Sequence, residues 1–317
     1  MAITIRVAES DADLEAWRTV RMAVIPNERC MTVEQIRAST TAEDLYLLAE
    51  VDGSVTGSGL AGRSSFGYAG LHPRVVPTAR RRGIGRAILE RLVDHARSHG
   101  FTEAGSIVDD ADSMAFAARF GFREVDRQIE QVRTIGQEPT PAVPHGITVV
   151  TVAERPELWS AAYDPFALEA YADFATDRPV LVSREEWEEE FLTWPEATFL
   201  ALAGDEIVGC AGLELDPDQP DRAEHALTAV ARAWRRRGIA SMLKRRTLAF
   251  AADHGIREVY TWTQAGNADM RALNERLGYV ERGVSITVRA SLPLPEPGPD
   301  GGPRFRVDSA VDANRGH

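Results

Sequence analysis

Two short stretches of the chain place three consecutive arginines before a glycine and the start of a predicted helix. The first reads ARRRGIGRAIL at residues 79–89, and the second reads WRRRGIASMLK at residues 234–244. A helix N-terminus offers unpaired backbone N–H groups, glycine lets an anion approach the backbone, and arginine adds charge and forked donors. The pattern predicts a cradle for a phosphate-bearing ligand, present twice.

The alternative is that the arginines only face solvent at the unfavourable end of a helix. Cations near a helix N-terminus cost about 0.3 to 1 kcal/mol each. Because this cost is incurred twice at the same place, the ligand is the favoured interpretation. The formal net charge of the chain is −12, so each cradle would be a local concentration of positive charge in an acidic protein.

Glu214 and Glu224 could carry proton transfer. They lie in EIVGCAGLELD (206–216) and EHALTAV (224–230), two predicted strands joined by a polar loop. A symmetric hairpin places them opposite each other, and close carboxylates raise one pKa toward neutrality, which suits a general base. A solvated strand end stays open as the alternative for Glu214 and is preferred for Glu224. If side chains alternate strictly between the two faces of a strand, residues two apart share a face. One face of the first strand then carries Val208, Cys210, Gly212 and Glu214, and one face of the second carries Glu224, Ala226, Thr228 and Val230.

The elements that must position these residues are repeated along the chain. Each half reads as a strand, a helical region, a hairpin, a further strand, the arginine–glycine helix, a strand, a short helix, a Gly-aromatic pair and an extended segment. Such a half forms a mixed sheet with helices on its faces. The predicted fold class is therefore α/β of the mixed α+β kind, with mostly antiparallel strands.

A proline-rich stretch, IGQEPTPAVPHGI at 135–147, marks the boundary between the halves. We predict an N-terminal domain at 1–135, a linker at 136–146 and a C-terminal domain at 147–291. The remaining residues, 292–317, are rich in proline, glycine and charge, and we predict a disordered tail.

The combined pattern resembles the acetyl-CoA signature of the GNAT-superfamily N-acetyltransferases, Arg-x-x-Gly-x-Gly/Ala after a strand that ends in valine. The resemblance covers about residues 3–134 and 147–290, and the second half adds NADMRALNERLGY from Asn267. It implies two tandem domains in which backbone amides of 236–241 hold the CoA pyrophosphate. It also implies that the strand ending at Val230 splays from the strand at 257–263, with the Val230 amide facing the thioester carbonyl as an oxyanion donor. The implied cofactor-binding residues are Val230, Arg235, Arg236, Arg237, Gly238, Ile239, Ala240, Ser241 and Asn267, and in the first half Val75, Arg80, Arg81, Arg82, Gly83, Ile84 and Gly85.

Two departures from the family pattern affect the chemistry. In the first half, Ala117 occupies the place of Asn274, so we expect a catalytic second domain and a degenerate first domain that binds CoA weakly or only serves as a scaffold. In many family members a tyrosine at the position of Asn274 protonates the leaving thiolate. Asparagine can orient a water or the sulfur but cannot act as an acid. The candidate catalytic residues are Glu214, Glu224 and Asn274.

The segment SREEWEEEFLTW at 183–194 bears on the acceptor substrate. Ser183 and Glu186 form a predicted capping box, so the segment is predicted to be a helix. In the resembled fold this helix borders the acceptor cleft, so its acids with Trp187 and Trp194 could attract a cationic amine. The alternative is a solvated helix face. An amino sugar, a polyamine, an aminoglycoside-like amine and a protein amine all stay open as acceptors.

Composition narrows the class of protein. The acidic balance disfavours nucleic acid and anionic lipid as partners, and no apolar run is long enough to span a membrane. We therefore expect a cytoplasmic protein, monomeric or homodimeric, with Cys30 and Cys210 reduced and no metal site.

The sequence thus predicts an acetyl-CoA-dependent N-acetyltransferase that transfers an acetyl group to a primary amine by direct attack in the C-terminal domain. A non-catalytic acyl-CoA-binding regulatory protein is the alternative, because the tyrosine is missing and the first half is degenerate.

Overall fold

The chain folds into two compact units in a computed structural model that describes residues 2–26, 30–173, 182–189, 192, 194–216, 219–297 and 303–304. Unit 1 is built mainly from Thr32–Val125 together with the start and the end of the chain, and unit 2 mainly from Asp126–Ser285. Each unit contains a mixed sheet flanked by helices, which confirms the predicted fold class.

Unit 1 opens with a strand, two helices and an antiparallel hairpin, as the sequence predicts. Its sheet runs in the order β1-β2-β3-β4-β6, in which only the β4–β6 pair is parallel. The short β5 pairs with β3 instead. The elements are β1 (Ile3–Val7), α1 (Asp11–Val24), α2 (Val33–Ser39), β2 (Leu45–Val51), β3 (Ser54–Arg63), β4 (Ala69–Leu71), β5 (Arg74–Val75), α3 (Ile84–Ser98), β6 (Glu103–Val108), α4 (Ala111–Arg119) and the start of β7 (Arg123–Thr134).

Unit 2 repeats this order. Its sheet runs β7-β12-β11-β10-β9-β8, and the β11–β12 pair is parallel. Its elements after β7 are β8 (Thr148–Thr151), α5 (Glu157–Ala161), a π-helical turn (Tyr163–Ala167), α6 (Leu168–Ala172), α7 (Arg184–Glu189), β9 (Phe199–Ala203), β10 (Glu206–Asp216), β11 (Gln219–Val230), α8 (Ile239–Asp253), β12 (Glu258–Gln264), α9 (Ala268–Arg276) and the start of β13 (Val280–Ser291).

The compact units differ from the contiguous domains that the sequence predicts. Residues 126–134 of β7 belong to unit 2, where β7 forms seven register pairs with β12. Residues 286–291 of β13 belong to unit 1, where they form six register pairs with β6. The physical reason is that each of these strands finds its hydrogen-bonding edge in the sheet of the other half. Residues 136–146 contain no helix or strand.

The predicted tail at 292–317 lies mostly outside the described residues. Its first residues are ordered rather than disordered, since the Leu292 amide donates to Thr102 O at 2.8 Å. Two short strands follow, β14 (Glu296–Pro297) and β15 (Pro303–Arg304), which pair antiparallel.

A pair of stacked indoles forms the centre of the core under α5 and α7 in unit 2. Trp159 and Trp187 lie 3.9 Å apart with ring planes inclined by 11°. Each indole N–H donates to the other residue's carbonyl, at 2.9 and 2.8 Å. Both tryptophans are buried, with Trp187 fully enclosed. The two contacts join helices that are 28 residues apart in the sequence.

We predict that Trp187→Phe lowers the free energy of unfolding by about 1–3 kcal/mol, because the Trp159 carbonyl loses a buried donor and the smaller ring leaves a void. Chemical denaturation measures the loss. The same substitution at the half-buried Trp194 is the control and should cost less; an equal cost at both positions would contradict the proposed role of the reciprocal bonds.

Candidate active site

The two arginine–glycine loops have the same backbone conformation. In each, the first arginine is extended, the second is left-handed, and the glycine that precedes the helix is left-handed. The φ values are −61°, 65° and 84° for Arg80, Arg81 and Gly83, and −64°, 63° and 81° for Arg235, Arg236 and Gly238. A left-handed non-glycine residue is uncommon, so its occurrence at the equivalent arginine of both loops indicates a duplicated device.

Both loops leave backbone donors available at a helix N-terminus. Neither Gly83 nor Gly238 caps its helix with a side chain, and the first intrahelical bonds run from Ala87 N to Gly83 O and from Met242 N to Gly238 O. The amides of residues 84–86 and 239–241, which include Ile84, Gly85, Ile239, Ala240 and Ser241, therefore have no intrahelical acceptor. A Cβ at Gly238 would meet nothing within 4 Å, so the space in front of this loop is open.

The first arginine of each loop supports the backbone. Arg80 Nε donates to Val75 O at 3.3 Å, and Arg235 Nε donates to Val230 O at 2.9 Å. Each bond ties the loop to the last residue of the preceding strand.

The other arginines of the second loop have partners within unit 2. Arg236 forms an exposed ion pair with Asp269 at 2.9 Å, and the Arg237 guanidinium lies 4.5 Å from the centre of the Trp234 ring. Arg235 also pairs with Asp173, and this pair, together with Arg232, holds the pKa of Asp173 below its usual value. In the first loop, Arg81 and Arg82 are exposed.

The valine at each strand end turns its amide away from the neighbouring strand. Val230 is opposite Gly209, and the next amide, Ala231 N, donates to Val208 O. Val230 thus belongs to a non-hydrogen-bonded antiparallel pair, so its N–H points away from β10. The same relation holds in unit 1, where Val75 is opposite Gly57 and Val76 N donates to Thr56 O.

On the side to which the Val230 amide points, β11 separates from β12. The two strands pair only from Arg222 to Glu224, opposite Glu258 to Tyr260, whereas β11 continues to Val230. This opening, which we call the fork, is the separation that the sequence resemblance implies.

Glu214 and Glu224 are register partners on β10 and β11, as the hairpin argument predicts. Both are half-buried. The predicted faces are wrong beyond this pair, because β11 carries an extra residue between His225 and Thr228. Glu224 therefore shares its face with Ala229, opposite Cys210, and not with Thr228 and Val230.

A second irregularity corrects the face predicted for β10. The register of β10 against β9 shifts between Ile207 and Gly209. Val208 consequently packs with the core under α8, whereas Cys210 packs with the indole core under α5 and α7.

Asn274, the third predicted catalytic residue, is fully buried. Its Nδ2 donates to Gln131 Oε1 at 2.9 Å and to Thr263 Oγ1 at 3.2 Å. Gln131 Nε2 in turn faces the carbonyl of Arg271 at 3.5 Å, which fixes the orientation of both amides. The Oδ1 of Asn274 meets no donor in the described part of the chain, so the group that Asn274 has available is an acceptor. Asn267 is exposed and caps α9 by accepting from Met270 N at 3.1 Å.

Comparison with known proteins identifies this arrangement. The sequence profile of the acetyltransferase (GNAT) family matches residues 11–122 and 159–279. The chain belongs to the GNAT family and carries two of its domains. The predicted enzyme class, an N-acetyltransferase, is confirmed at this level.

Relatives extend over most of the chain. A mycothiol acetyltransferase from Clavibacter michiganensis is 27% identical over 81% of this chain and 84% of its own length. A GCN5-related N-acetyltransferase from Sphaerobacter thermophilus superposes with a TM-score of 0.73 at 21% identity, over 91% of this chain and 95% of that one. A tandem GNAT protein from the clavulanic acid biosynthesis pathway gives a TM-score of 0.67 at 20% identity, over 96% and 99% of the two chains. At these identities the two structures establish the fold.

The two GNAT domains differ at the register positions of the carboxylates. In unit 2, Glu224 is opposite Glu214 on one side and Tyr260 on the other. The corresponding triple in unit 1, from the β3–β4 and β4–β6 pairings, consists of three glycines: Gly62, Gly70 and Gly105. The sequence analysis did not single out Tyr260. The segments EAGSIV and REVYTW each pair parallel with a strand that precedes the arginine–glycine loop, and in the second half this pairing places Tyr260 beside Glu224.

Other side chains of unit 1 cover these three glycines. A Cβ at Gly105 would lie 2.4 Å from the Tyr68 ring, and one at Gly62 would lie 2.2 Å from Asp44 Oδ1. A Cβ at Gly70 would lie 3.1 Å from His72 Nε2. No side chain larger than hydrogen fits there without displacing these neighbours.

Unit 1 nevertheless has a cavity of about 450 Å³ at its own arginine–glycine loop. Its lining includes six of the seven residues predicted for the first cradle, Val75, Arg80, Arg81, Gly83, Ile84 and Gly85. Unit 1 therefore has a cavity at the loop predicted to bind the cofactor, and glycines at the register positions of the two carboxylates.

The helix predicted to border the acceptor cleft is present, with a correction. Ser183 and Glu186 form the capping box, with bonds of 2.6 and 3.1 Å. Trp187 and Trp194 do not line a cleft, because Trp187 belongs to the buried indole core and Trp194 packs edge-on against Phe250. Residues 190, 191 and 193 of the segment lie outside the described residues.

Membrane-spanning helices and metal-binding clusters are both absent from the described residues. No helix within the described ranges is long and apolar enough to cross a membrane. Among the same residues, no cluster of three or more histidine, cysteine, aspartate or glutamate side chains could hold a metal ion.

A buried polar cluster lies next to the fork in unit 2. His225 follows Glu224 directly, and its ring nitrogens meet Tyr279 Oη and Thr247 Oγ1, both at 2.9 Å. Because Thr247 donates to Lys244 O, His225 Nε2 donates to Thr247 and Nδ1 accepts from Tyr279. Burial keeps the pKa of His225 well below its usual value, so the ring is neutral.

Lys244 is also buried here, with its Nζ 5.6 Å from the centre of the Tyr279 ring. Burial lowers the pKa of Lys244 to about 7. In the unfolded chain a lysine titrates near about 10.4. Between these values the unfolded chain holds a proton that the folded chain lacks, so this residue makes stability rise with pH from about 7 to about 10.

We predict that Asn274→Asp lowers the free energy of unfolding by about 3–5 kcal/mol, because the substitution buries a charge and replaces the N–H that donates to Gln131 Oε1 with an oxygen that repels it. Urea denaturation measures the cost. Asn267→Asp on the same helix is the matched control: aspartate caps as well as asparagine, so its effect should stay within about 0.5 kcal/mol. A large cost at Asn267 or none at Asn274 would contradict these assignments.

We predict that Lys244→Met stabilises the protein most below pH 7, with the advantage shrinking between pH 7 and 10 by no more than about 1.4 kcal/mol per pH unit. The measurement is the difference in unfolding free energy between variant and parent across this range. A difference that does not depend on pH would show that Lys244 keeps an ordinary pKa.

Proposed function

We propose that the protein transfers the acetyl group of acetyl-CoA to a primary amine, and that the transfer takes place in unit 2, the C-terminal GNAT domain. The observation that carries the proposal is the register triple at the fork. Unit 2 has two carboxylates and a tyrosine where unit 1 has three glycines, although both units have the same loop backbone.

The cofactor would be held chiefly by the backbone. The unpaired amides before and within the first turn of α8 suit a pyrophosphate, and Gly238 keeps the approach to them open. Arg235, Arg236 and Arg237 surround this loop and supply countercharge. The Val230 amide, which points away from β10 at the fork, would act as the oxyanion donor.

When bound, acetyl-CoA supplies an activated thioester, and the net transfer turns an ammonium group and this thioester into an amide, free CoA thiol and one proton. The protein must attract the amine and remove its proton. We assign both tasks to Glu214 and Glu224, because paired carboxylates attract a cation and a carboxylate can accept the proton of a bound ammonium group.

Asn274 contributes an acceptor rather than an acid. Its two N–H groups are used by Gln131 and Thr263, so it cannot donate to a leaving sulfur without breaking buried bonds. Thiols have pKa values near about 8.5, so a thiolate can leave without a general acid. We therefore assign Asn274 a role in orienting a bound N–H or O–H group.

Unit 1 would bind the cofactor without transferring its acetyl group. The cavity at its loop supports binding, and the covered glycines argue against an amine acceptor there. The acceptor in unit 2 is proposed only as a primary amine, since the mycothiol acetyltransferase that matches 81% of this chain is only 27% identical to it. The protein is expected to act as a monomer or homodimer in the cytoplasm.

The test is the release of free CoA thiol from acetyl-CoA with an amino sugar, a polyamine, an aminoglycoside and a peptide with a free N-terminus. Gly238→Glu places a negative charge in the second cradle at a left-handed position, and we predict that it lowers kcat/KM about 100-fold, a loss of roughly 3 kcal/mol. Gly83→Glu makes the same change in unit 1 and should cost far less.

Thermal denaturation of both variants controls for folding. The reverse pattern would assign transfer to unit 1. Tight CoA binding with no stimulation by any of the four amines would instead favour the acyl-CoA-binding regulatory protein.

A further inference from the structure

Glu224 accepts a hydrogen bond from a buried tyrosine and also lies opposite Glu214. Tyr260 is only 2% exposed and is the register partner of Glu224 across the parallel β11–β12 pair. Its hydroxyl donates to the Glu224 carboxylate, and burial together with the charge of Glu224 raises the pKa of Tyr260 above its usual value. Tyr260 is thus a neutral donor at any physiological pH.

The ring of Tyr260 is held in place by a buried arginine. The Arg222 guanidinium lies 3.9 Å from the ring centre. Arg222 is itself fixed by Glu258 at 2.9 Å, by Glu130 at 3.2 Å and by Asp216 at 3.6 Å. The buried ion pairs of Arg222 therefore hold its guanidinium against the Tyr260 ring.

The charged groups near the two carboxylates come from several elements. Beside Tyr260 these are Arg222 on β11 and Asp216 on β10. Arg222 also pairs with Glu130 and Glu258, and each of these two carboxylates pairs with Arg282. The hydroxyl of Tyr171 on α6 interacts electrostatically with the carboxylates of Glu214 and of Glu186 on α7. Burial raises the pKa of Tyr171 and raises that of the Cys210 thiol to about 12, so both are neutral in the working range.

This arrangement makes the two carboxylates unequal. A hydrogen bond donated to an ionised carboxylate favours its charged form, and a neighbouring negative charge disfavours ionisation of the other carboxylate. Glu224 receives the tyrosine hydroxyl, and Glu214 faces the resulting negative charge. The first proton taken up by the pair is therefore directed to Glu214.

We propose that Tyr260 is a positioning residue that keeps Glu224 ionised, so that Glu214 is the carboxylate that takes the proton from the acceptor's ammonium group. The proton moves from the ammonium nitrogen to a Glu214 oxygen, and the nitrogen lone pair becomes free to attack. The charged Glu224 attracts the ammonium group. This inference rests on the proposed function of unit 2.

Unit 1 supports the coupling of the three residues. Gly62, Gly70 and Gly105 occupy the places of Glu214, Glu224 and Tyr260. The tyrosine is missing from the domain that lacks both carboxylates, as expected if its role is to serve them.

The first experiment is Tyr260→Phe, which removes one oxygen and keeps the ring under Arg222. Without the hydroxyl, Glu224 competes for the proton, so the acid limb of the pH profile of kcat/KM should move to higher pH by about 0.5–1 unit. Activity should fall more at pH 6 than at pH 9. Tyr279→Phe is the matched control, because that buried hydroxyl donates to His225 and should leave the position of the acid limb unchanged. A loss in Tyr260→Phe that is equal at every pH would overturn the proposal.

The second experiment compares two isosteric variants. Glu214→Gln should abolish the acid limb and lower kcat by about 10²–10⁴-fold. Glu224→Gln should keep the limb, move it to lower pH because Glu214 loses a neighbouring charge, and raise KM for the amine. An exchange of these two results would show that Glu224 takes the proton.

A direct titration separates this inference from the proposed function. Carboxyl-¹³C NMR of protein labelled at glutamate, assigned with the two glutamine variants, should give a higher pKa for Glu214 than for Glu224 even if none of the four amines is a substrate. Turnover with the opposite order of pKa values would leave the transferase standing and overturn the role of Tyr260. The correct order without turnover would retain the role of Tyr260 in ionising Glu224 and refute the proposed transfer.

Discussion

The candidate site of unit 2 depends on one constraint: Glu224 is in register with a residue on each of its two neighbouring strands. At this residue β11 is in register with Glu214 of β10 and with Tyr260 of β12, and it is the last position at which the three strands stay together. Immediately beyond it β11 carries an extra residue and leaves β12. The bulge and the fork therefore begin at the same place on β11, directly after Glu224. The Val230 amide and the arginine–glycine loop follow from the path that β11 takes after this point.

The two units have the same arginine–glycine loop but differ at three register positions of the neighbouring strands. The loop has one backbone conformation in both units: an extended arginine, a left-handed arginine, a left-handed glycine and a helix start, repeated to within a few degrees. The difference between the units lies in the side chains at the three register positions. Replacing those side chains by glycine leaves the strands paired and lets Tyr68, His72 and Asp44 occupy the space. A duplicated domain can thus lose its acids without losing its cradle.

The features that the sequence predicts well are local ones. The helix that starts after the arginine–glycine loop and the capping box at Ser183 depend on neighbouring residues, and the Glu214–Glu224 pairing depends on one hairpin. The features it missed depend on distant partners or on a single inserted residue. Alternation cannot reveal that Val208 and Cys210 lie on opposite faces, because a bulge breaks the period of two without a composition signal. The exchange of the β7 and β13 edges, the burial of Trp187 and the amide network around Asn274 each join residues far apart in the chain.

The arginines that first draw attention in the sequence act differently from a simple basic patch. Arg80 Nε donates to the carbonyl of Val75, and Arg235 Nε donates to the carbonyl of Val230. In addition, Arg235 forms an ion pair with Asp173, and Arg236 forms one with Asp269. Their charge is partly compensated before any ligand arrives, which limits the repulsion among three adjacent cations. An anion bound in the loop would be held chiefly by amides that have no other acceptor, and this part of the attraction does not depend on net charge. Binding of a polyphosphate by an acidic chain would therefore depend on donors oriented by the left-handed arginine and the left-handed glycine, and Arg80 and Arg235 would contribute by fixing that orientation.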